Sequence, residues 1–325
     1  MRGYVANTDY DWFTYLRSIE PPIDEVNFWE PGSGTNFGAL VPGEPLFFKL
    51  KAPRNAIAGF GYFAHFSRLP VSMVWQVYGE ANGAGSYGEM RDRLVRIRTR
   101  FDRDSDPKQD FWIGCILVNQ PVFFAEADWV RMPDDFKGPT VQGKTYDLTT
   151  GEGQRIWMEC LARAARRSDA VSPSLVAPQR SRGDRIADSP IVSGYGSPVP
   201  VRPRLGQRSF RVAVLDSYGR KCAITNEKTL PVLEAAHIRD YHDLPVHSIN
   251  NGILLRADIH KLFDSGYVTV TPEYKFEVSR RIKEEFENGR DYYALDGSRI
   301  RLPEDIADRP AVESLIWHNE QRYLG

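Results

Sequence analysis

Glu234 to Asp264, EAAHIRDYHDLPVHSINNGILLRADIHKLFD, is the stretch whose spacing organises the reading of this chain. His237 and Asn251 stand 14 positions apart, Asn251 and His260 are 9 apart, and His260 and Asp264 are 4 apart. The apolar, β-compatible run from Leu230 to Ile238 predicts a strand with His237 near its end. A loop containing Pro245 follows. Asn251-Gly252 then opens a second apolar run, Ile253 to Leu255, leading into a helix expected over Ala257 to Asp264.

Residues four apart on a helix share a face, so His260 and Asp264 are expected to point at one cation. A neutral imidazole beside a carboxylate suits a divalent metal bound to phosphate oxygen. His237, arriving from the strand, is a candidate to take a proton from an attacking water. Taken singly these residues have plainer explanations. A histidine on an apolar strand is commonly a hydrogen-bonded core residue, and Asn-Gly is commonly a turn. Their joint spacing points to single-metal hydrolysis of a phosphodiester.

The stretch resembles the HNH endonuclease family, with its ββα-metal fold. His237, Asn251 and His260 stand at the three name-giving positions, and the resemblance runs from about Gln207 to Val278, including the flanks RKCAIT (220–225) and HKLFDSG (260–266). It implies that His237 is the general base, that Asn251 steadies the hairpin carrying the base, and that His260 is a metal ligand. Asp264 takes the place where relatives often carry a further histidine ligand. A divalent ion is the implied cofactor, Mg²⁺ foremost, with Mn²⁺ or another ion as the alternatives.

Two departures mark the site. Many relatives carry a ligand immediately before the base histidine, where this chain has Ala236. Glu234, on the same strand face, is the candidate replacement; Asp258 and water are the alternatives. Many relatives also hold structural zinc on paired CxxC motifs, whereas Cys115, Cys160 and Cys222 show no such spacing, so no structural zinc is expected.

With 42 basic and 43 acidic side chains in 325 residues, the chain is not a polycation that coats nucleic acid nonspecifically. The basic charge is local. Leu161 to Pro203 carries seven arginines against three aspartates, a net of about +4, and Arg204, Arg208 and Arg211 follow at once. These three and Arg256 are candidate DNA contacts. No apolar run reaches the length needed to span a bilayer and the N-terminus lacks a secretory layout, so no membrane association is expected. Three unpatterned cysteines suggest a reducing, cytoplasmic setting.

An α+β protein with two domains is expected: residues 1–165, a Pro-, Ser- and Arg-rich linker over 166–203, and residues 204–325. Ile156, Trp157, Cys160 and Leu161 have helical spacing and close the first domain; Phe210, Val214 and Tyr218 predict a helix ended by Gly219. Strands are expected near 267–271 and 275–278, then a charged helix near 280–288. In the first domain the runs VPGEPLFFKL, AIAGFGYFAHFSRL, VSMVWQVY and FWIGCILVNQPVFF read as strands of a small barrel, with a helix in GSYGEMRDRLVRIRTRF.

LVPGEPLFFKL followed by AIAGFGYFAHF is similar to the PUA-like superfamily, which includes ASCH, EVE and SRA-type domains. Some of these hold a modified base in an aromatic pocket, which implies a β-barrel recognition domain reading flipped bases. Candidate readers are Trp29, Phe28, Trp75 and Asn27, with Tyr78 and Trp112 as further aromatics and Asp24, Glu25 and Asn36 as further polar groups; the usual alternative for an aromatic here is core.

The expectation is a metal-dependent HNH endonuclease that cuts DNA, selected by modified bases as in a modification-dependent restriction enzyme. Two active sites are needed to cut both strands at once, which a homodimer would provide. The alternatives are a non-catalytic DNA-binding module and a nuclease whose first domain senses a phosphorothioate, an RNA or a protein.

Overall fold

The computed structural model describes residues 1–31, 36–98, 110–136, 142–168, 206–239 and 248–325. The expected linker beyond Ser168, Arg204, and the loop with His242, Pro245 and His247 lie outside the described residues. In chain order the first elements are β1 (Arg2–Thr8), α1 (Tyr10–Ser18), β2 (Glu25–Glu30), β3 (Pro45–Leu50), β4 (Ala56–Pro70), α2 (Val71–Tyr78), α3 (Tyr87–Arg98), β5 (Trp112–Phe123), β6 (Val130–Arg131), β7 (Gly143–Asp147) and α4 (Gly151–Ser168). Then come α5 (Gln207–Ser217), β8 (Leu233–His237), β9 (Gly252–Arg256), α6 (Ala257–Asp264), β10 (Val268–Val270), β11 (Phe276–Val278), α7 (Arg281–Phe286), α8 (Arg290–Tyr293) and α9 (Val312–Gln321).

Two compact units divide the chain. One takes Met1–Ile23, Phe37–Phe63 and Gln120–Pro203; the other takes Asp24–Asn36, Ala64–Asn119 and Arg204–Gly325. In the first, β1 pairs parallel with β3 and antiparallel with β7, and the opening half of β4 pairs with β3 and β6. Its core gathers Val5, Phe47, Phe60, Phe124 and Tyr146 against Ile156, Trp157 and Cys160 of α4. Those three α4 positions bury together because they repeat at helical spacing.

In the second unit β2 pairs antiparallel with β5, from Glu25↔Asn119 to Glu30↔Gly114. VSMVWQVY, expected as a strand, is the helix α2 instead. Its β-branched residues suggested a strand, but Val71, Val74 and Tyr78 recur every three to four positions and are all buried. Packing on that face overrides intrinsic preference, and Pro70, with extended backbone, stands at the N-cap of the helix.

The C-terminal part of this unit follows the expected order. Phe210, Val214 and Tyr218 are almost fully buried along α5, and Gly219, at φ 59°, ends it in the left-handed region. β8 and β9 form an antiparallel pair in register Leu233↔Arg256 to His237↔Gly252, and α6 follows without a break. The β10–β11 hairpin and α9 complete it. His318 on α9 is buried and stacked 3.7 Å from Phe263; its Nε2 donates to the Phe263 carbonyl and its Nδ1 accepts the Thr269 hydroxyl. It is a satisfied core histidine that backs α6.

Candidate active site

Strand alternation divides the side chains of β8. Glu234 and Ala236 fall on one face, Ala235 and His237 on the other. Glu234 reaches His260 on α6, its Oε2 2.7 Å from Nδ1. His260 Nε2 lies 3.3 Å from Asp264 Oδ2, one helical turn on. The two carboxylates therefore serve opposite nitrogens of one ring. Glu234 at Nδ1 orients the ring so that Nε2 is turned toward Asp264.

That arrangement bears on a divalent cation. Two ligands each about 2.1 Å from a shared ion and near a right angle stand about 3.0 Å apart, close to the observed separation of Nε2 and Oδ2. Among the described residues no three His, Cys, Asp or Glu side chains are disposed to hold a metal together. His260 and Asp264 are thus a pair whose spacing approaches that of two ligands on one divalent ion.

Asn251 is buried at the entry to β9. Its Oδ1 accepts from the Arg239 backbone N–H at 3.1 Å and its Nδ2 donates to the Arg239 carbonyl at 3.0 Å. With Ile238 N–H donating to the Asn251 carbonyl at 2.9 Å, these bonds continue the hairpin ladder beyond the paired strands and hold the chain just after His237. Gly252 has extended backbone, so it is there for space and not for a turn: a Cβ would lie 2.5 Å from Val214 Cγ2 and 2.9 Å from Phe210 Cζ. The close approach of α5 brings Phe210 flat against His237, with ring centroids 4.0 Å apart and an 11° tilt. His237 remains half-buried.

Residues 222–271 match the HNH endonuclease family. The HNH segment thus spans the hairpin, α6 and the start of the next hairpin, and supports a nuclease-type enzyme. Among solved structures, the chain is similar to ASCH from Zymomonas mobilis, at 13% identity over 48% of this chain and 94% of that one, with a TM-score of 0.31. A mutant of the same ASCH protein gives 13% identity, 48% and 96% coverage, and a TM-score of 0.32. The comparison with curated proteins found no match.

Around the HNH residues, two candidates are engaged with each other. Arg256 and Asp258 form a two-pronged ion pair at 2.6 and 2.7 Å, and Tyr292 donates to Asp258 at 3.3 Å. The Arg256 guanidinium holds the Asp258 carboxyl below its usual range. Arg208 and Arg211 are half-buried on α5.

In β2, Asn27 and Trp29 are buried and tied to Asn82. Asn27 Nδ2 donates to Asn82 Oδ1 at 2.9 Å, and Trp29 Nε1 donates to the Asn82 carbonyl at 2.9 Å. Phe28 and Trp75 are half-buried. Glu25, grouped by sequence with possible base-edge readers, is 3% exposed and caps α5: Oε2 accepts from Arg208 N–H and Oε1 from Ser209 N–H, both at 2.9 Å.

Nothing in the sequence singled out His65 or Asp216, and Arg220 stood there only within the RKCAIT flank. His65 Nε2 lies 2.9 Å from Asp216 Oδ2, and Arg220 reaches Asp216 Oδ1 at 3.0 Å and the Arg68 carbonyl at 2.6 Å. Asp216 and Arg220 are four apart on and just beyond α5, but nothing local announces a partner 151 positions earlier.

Proposed function

We propose that this chain is a metal-dependent HNH endonuclease that hydrolyses DNA phosphodiester bonds, with residues 1–165 selecting the substrate, 166–203 as linker and 204–325 cutting. The observation that carries the reading is His260 held between Glu234 and Asp264 beside a hairpin whose exit Asn251 clamps. In this reading His237, half-buried and stacked on Phe210, accepts the proton of the attacking water. Asn251 keeps the backbone after His237 in place, His260 and Asp264 hold the ion, and Glu234 orients His260 from behind. A bound divalent cation, Mg²⁺ foremost, supplies charge neutralisation at the scissile phosphate. Arg204, Arg208 and Arg211 meet the DNA backbone.

Selectivity in this proposal belongs to a PUA-like barrel in the N-terminal part that reads modified bases, with Phe28 and Trp75 as its accessible aromatics. That makes the protein a modification-dependent restriction enzyme of the cytoplasm. No described helix is long and apolar enough to cross a membrane.

Mg²⁺-dependent cleavage of plasmid DNA by the full chain, lost in folded His237→Ala and His260→Ala proteins, tests the chemistry. Faster cutting of duplexes with modified bases than of unmodified ones tests the selection. The second reading, a non-catalytic DNA-binding module, rests on Ala236, which is fully buried and offers no ligand. Binding without cleavage at any Mg²⁺ or Mn²⁺ concentration decides for it.

A further inference from the structure

Helix α5 is gripped at both ends by strands from far earlier in the chain, within one compact unit. At its start the buried Glu25 carboxylate of β2 takes two of the first-turn amides, Arg208 and Ser209, while Ser209 Oγ donates to Asn119 Oδ1 of β5 at 3.2 Å. Gly206 makes room for this cap, since a Cβ there would collide with the Glu25 carboxylate. At its end Asp216 and Arg220 bind His65 and the Arg68 carbonyl of β4. The opposite side of α5 presents Phe210 to the His237 ring, and Phe210 and Val214 to Gly252.

We propose that Glu25 is a positioning residue for His237, acting through α5 and Phe210. A helix start without its acceptor loses two charge-assisted hydrogen bonds in a buried setting and shifts or frays in its first turn. Phe210 lies in that turn. The ring against which His237 is stacked moves with it, so β2 and the placement of the proposed base are mechanically joined. The inference rests on the nuclease reading for its effect on rate, but its geometric half stands apart from that reading.

The test compares full-length Glu25→Ala, Glu25→Gln and Gly206→Ala proteins with the unaltered chain, each checked for folding by circular dichroism. Glu44 serves as control, because it is also a buried carboxylate accepting backbone N–H bonds, from Arg2 and Val41. In proteins labelled on histidine, the His237 ring protons are expected to carry an upfield ring-current displacement from Phe210, given the stacked rings. That displacement is expected to shrink in Glu25→Ala and Gly206→Ala, to recover partly in Glu25→Gln, and to stay in Glu44→Ala. On plasmid DNA with Mg²⁺, kcat is expected to fall about tenfold in Glu25→Ala with KM little changed, the scale of a small misplacement of a reacting group.

Unmoved His237 resonances in a folded Glu25→Ala protein overturn the coupling, as does an equal displacement in Glu44→Ala. Absence of cleavage by the unaltered chain overturns the nuclease reading instead, and the resonances still decide whether Glu25 sets the ring.

Discussion

Glu234 Oε2 and His260 Nδ1, 26 positions apart in sequence, meet at 2.7 Å, with Asp264 on the other nitrogen of the same ring. An outer carboxylate of this kind sets ring orientation and ligand basicity. Glu234→Ala is expected to raise the Mg²⁺ concentration needed for cleavage by about 10–100-fold. Glu234→Gln should fall between, since its amide oxygen still accepts from Nδ1–H. A loss as complete as that of His260→Ala would make Glu234 a direct ligand.

Asn251→Ala removes both side-chain bonds to the Arg239 peptide and leaves buried backbone groups without partners. A loss of about 1–3 kcal/mol is expected in chemical denaturation. The rate of DNA cleavage should fall beyond what the unfolded fraction explains. If it falls only in proportion to that fraction, Asn251 supports the fold and not the base.

Gly252→Ala places a methyl group against Val214 and Phe210. The expected cost is about 1–3 kcal/mol of stability, typical of overpacking. The His237 ring resonances should shift, because its stacking partner is one of the two residues displaced. An unchanged thermal midpoint would show that α5 has room to yield.

Burial pushes the Asp216 carboxyl upward, yet the His65 hydrogen bond and charge, with Arg220, more than offset it and hold its pKa below the usual value. A depressed folded pKa stabilises above the ordinary value near about 3.9, and that stability is lost as pH falls through the folded value. The thermal midpoint of the unaltered chain should therefore drop more steeply on acidification through this range than that of Asp216→Asn. Parallel curves would remove Asp216 from the acid response.

Chelation by EDTA should abolish cleavage, and added Mg²⁺ should restore it, without moving the thermal midpoint. Ile259 and Phe263 bury α6 in an apolar core, so the helix does not depend on an ion for folding as a structural zinc site does. A large fall of the midpoint on chelation would mean that a metal holds the fold.

Much of the HNH segment was legible in the sequence because its signals are local. Apolar runs mark β8 and β9, the four-residue step from His260 to Asp264 sets them on one face of α6, and Phe210, Val214 and Tyr218 give α5 with Gly219 to end it. The strand expected at VSMVWQVY shows the limit of that reasoning, since eight residues rich in valine satisfy both periods until a neighbouring surface chooses one. Asn251-Gly252 shows another: its glycine relieves crowding by a helix more than thirty positions earlier and turns nothing.

The sequence by itself determined which side chains share a strand or helix face and the order strand, strand, helix that carries them, because those follow from backbone periods of two and 3.6 residues. Tertiary structure alone decided that Glu234 approaches His260 from Nδ1, that Phe210 lies against His237, and that Glu25, 183 positions from Arg208, caps α5. Such pairings depend on how packed elements bring distant atoms within about 3 Å, a distance that local residue preference does not encode.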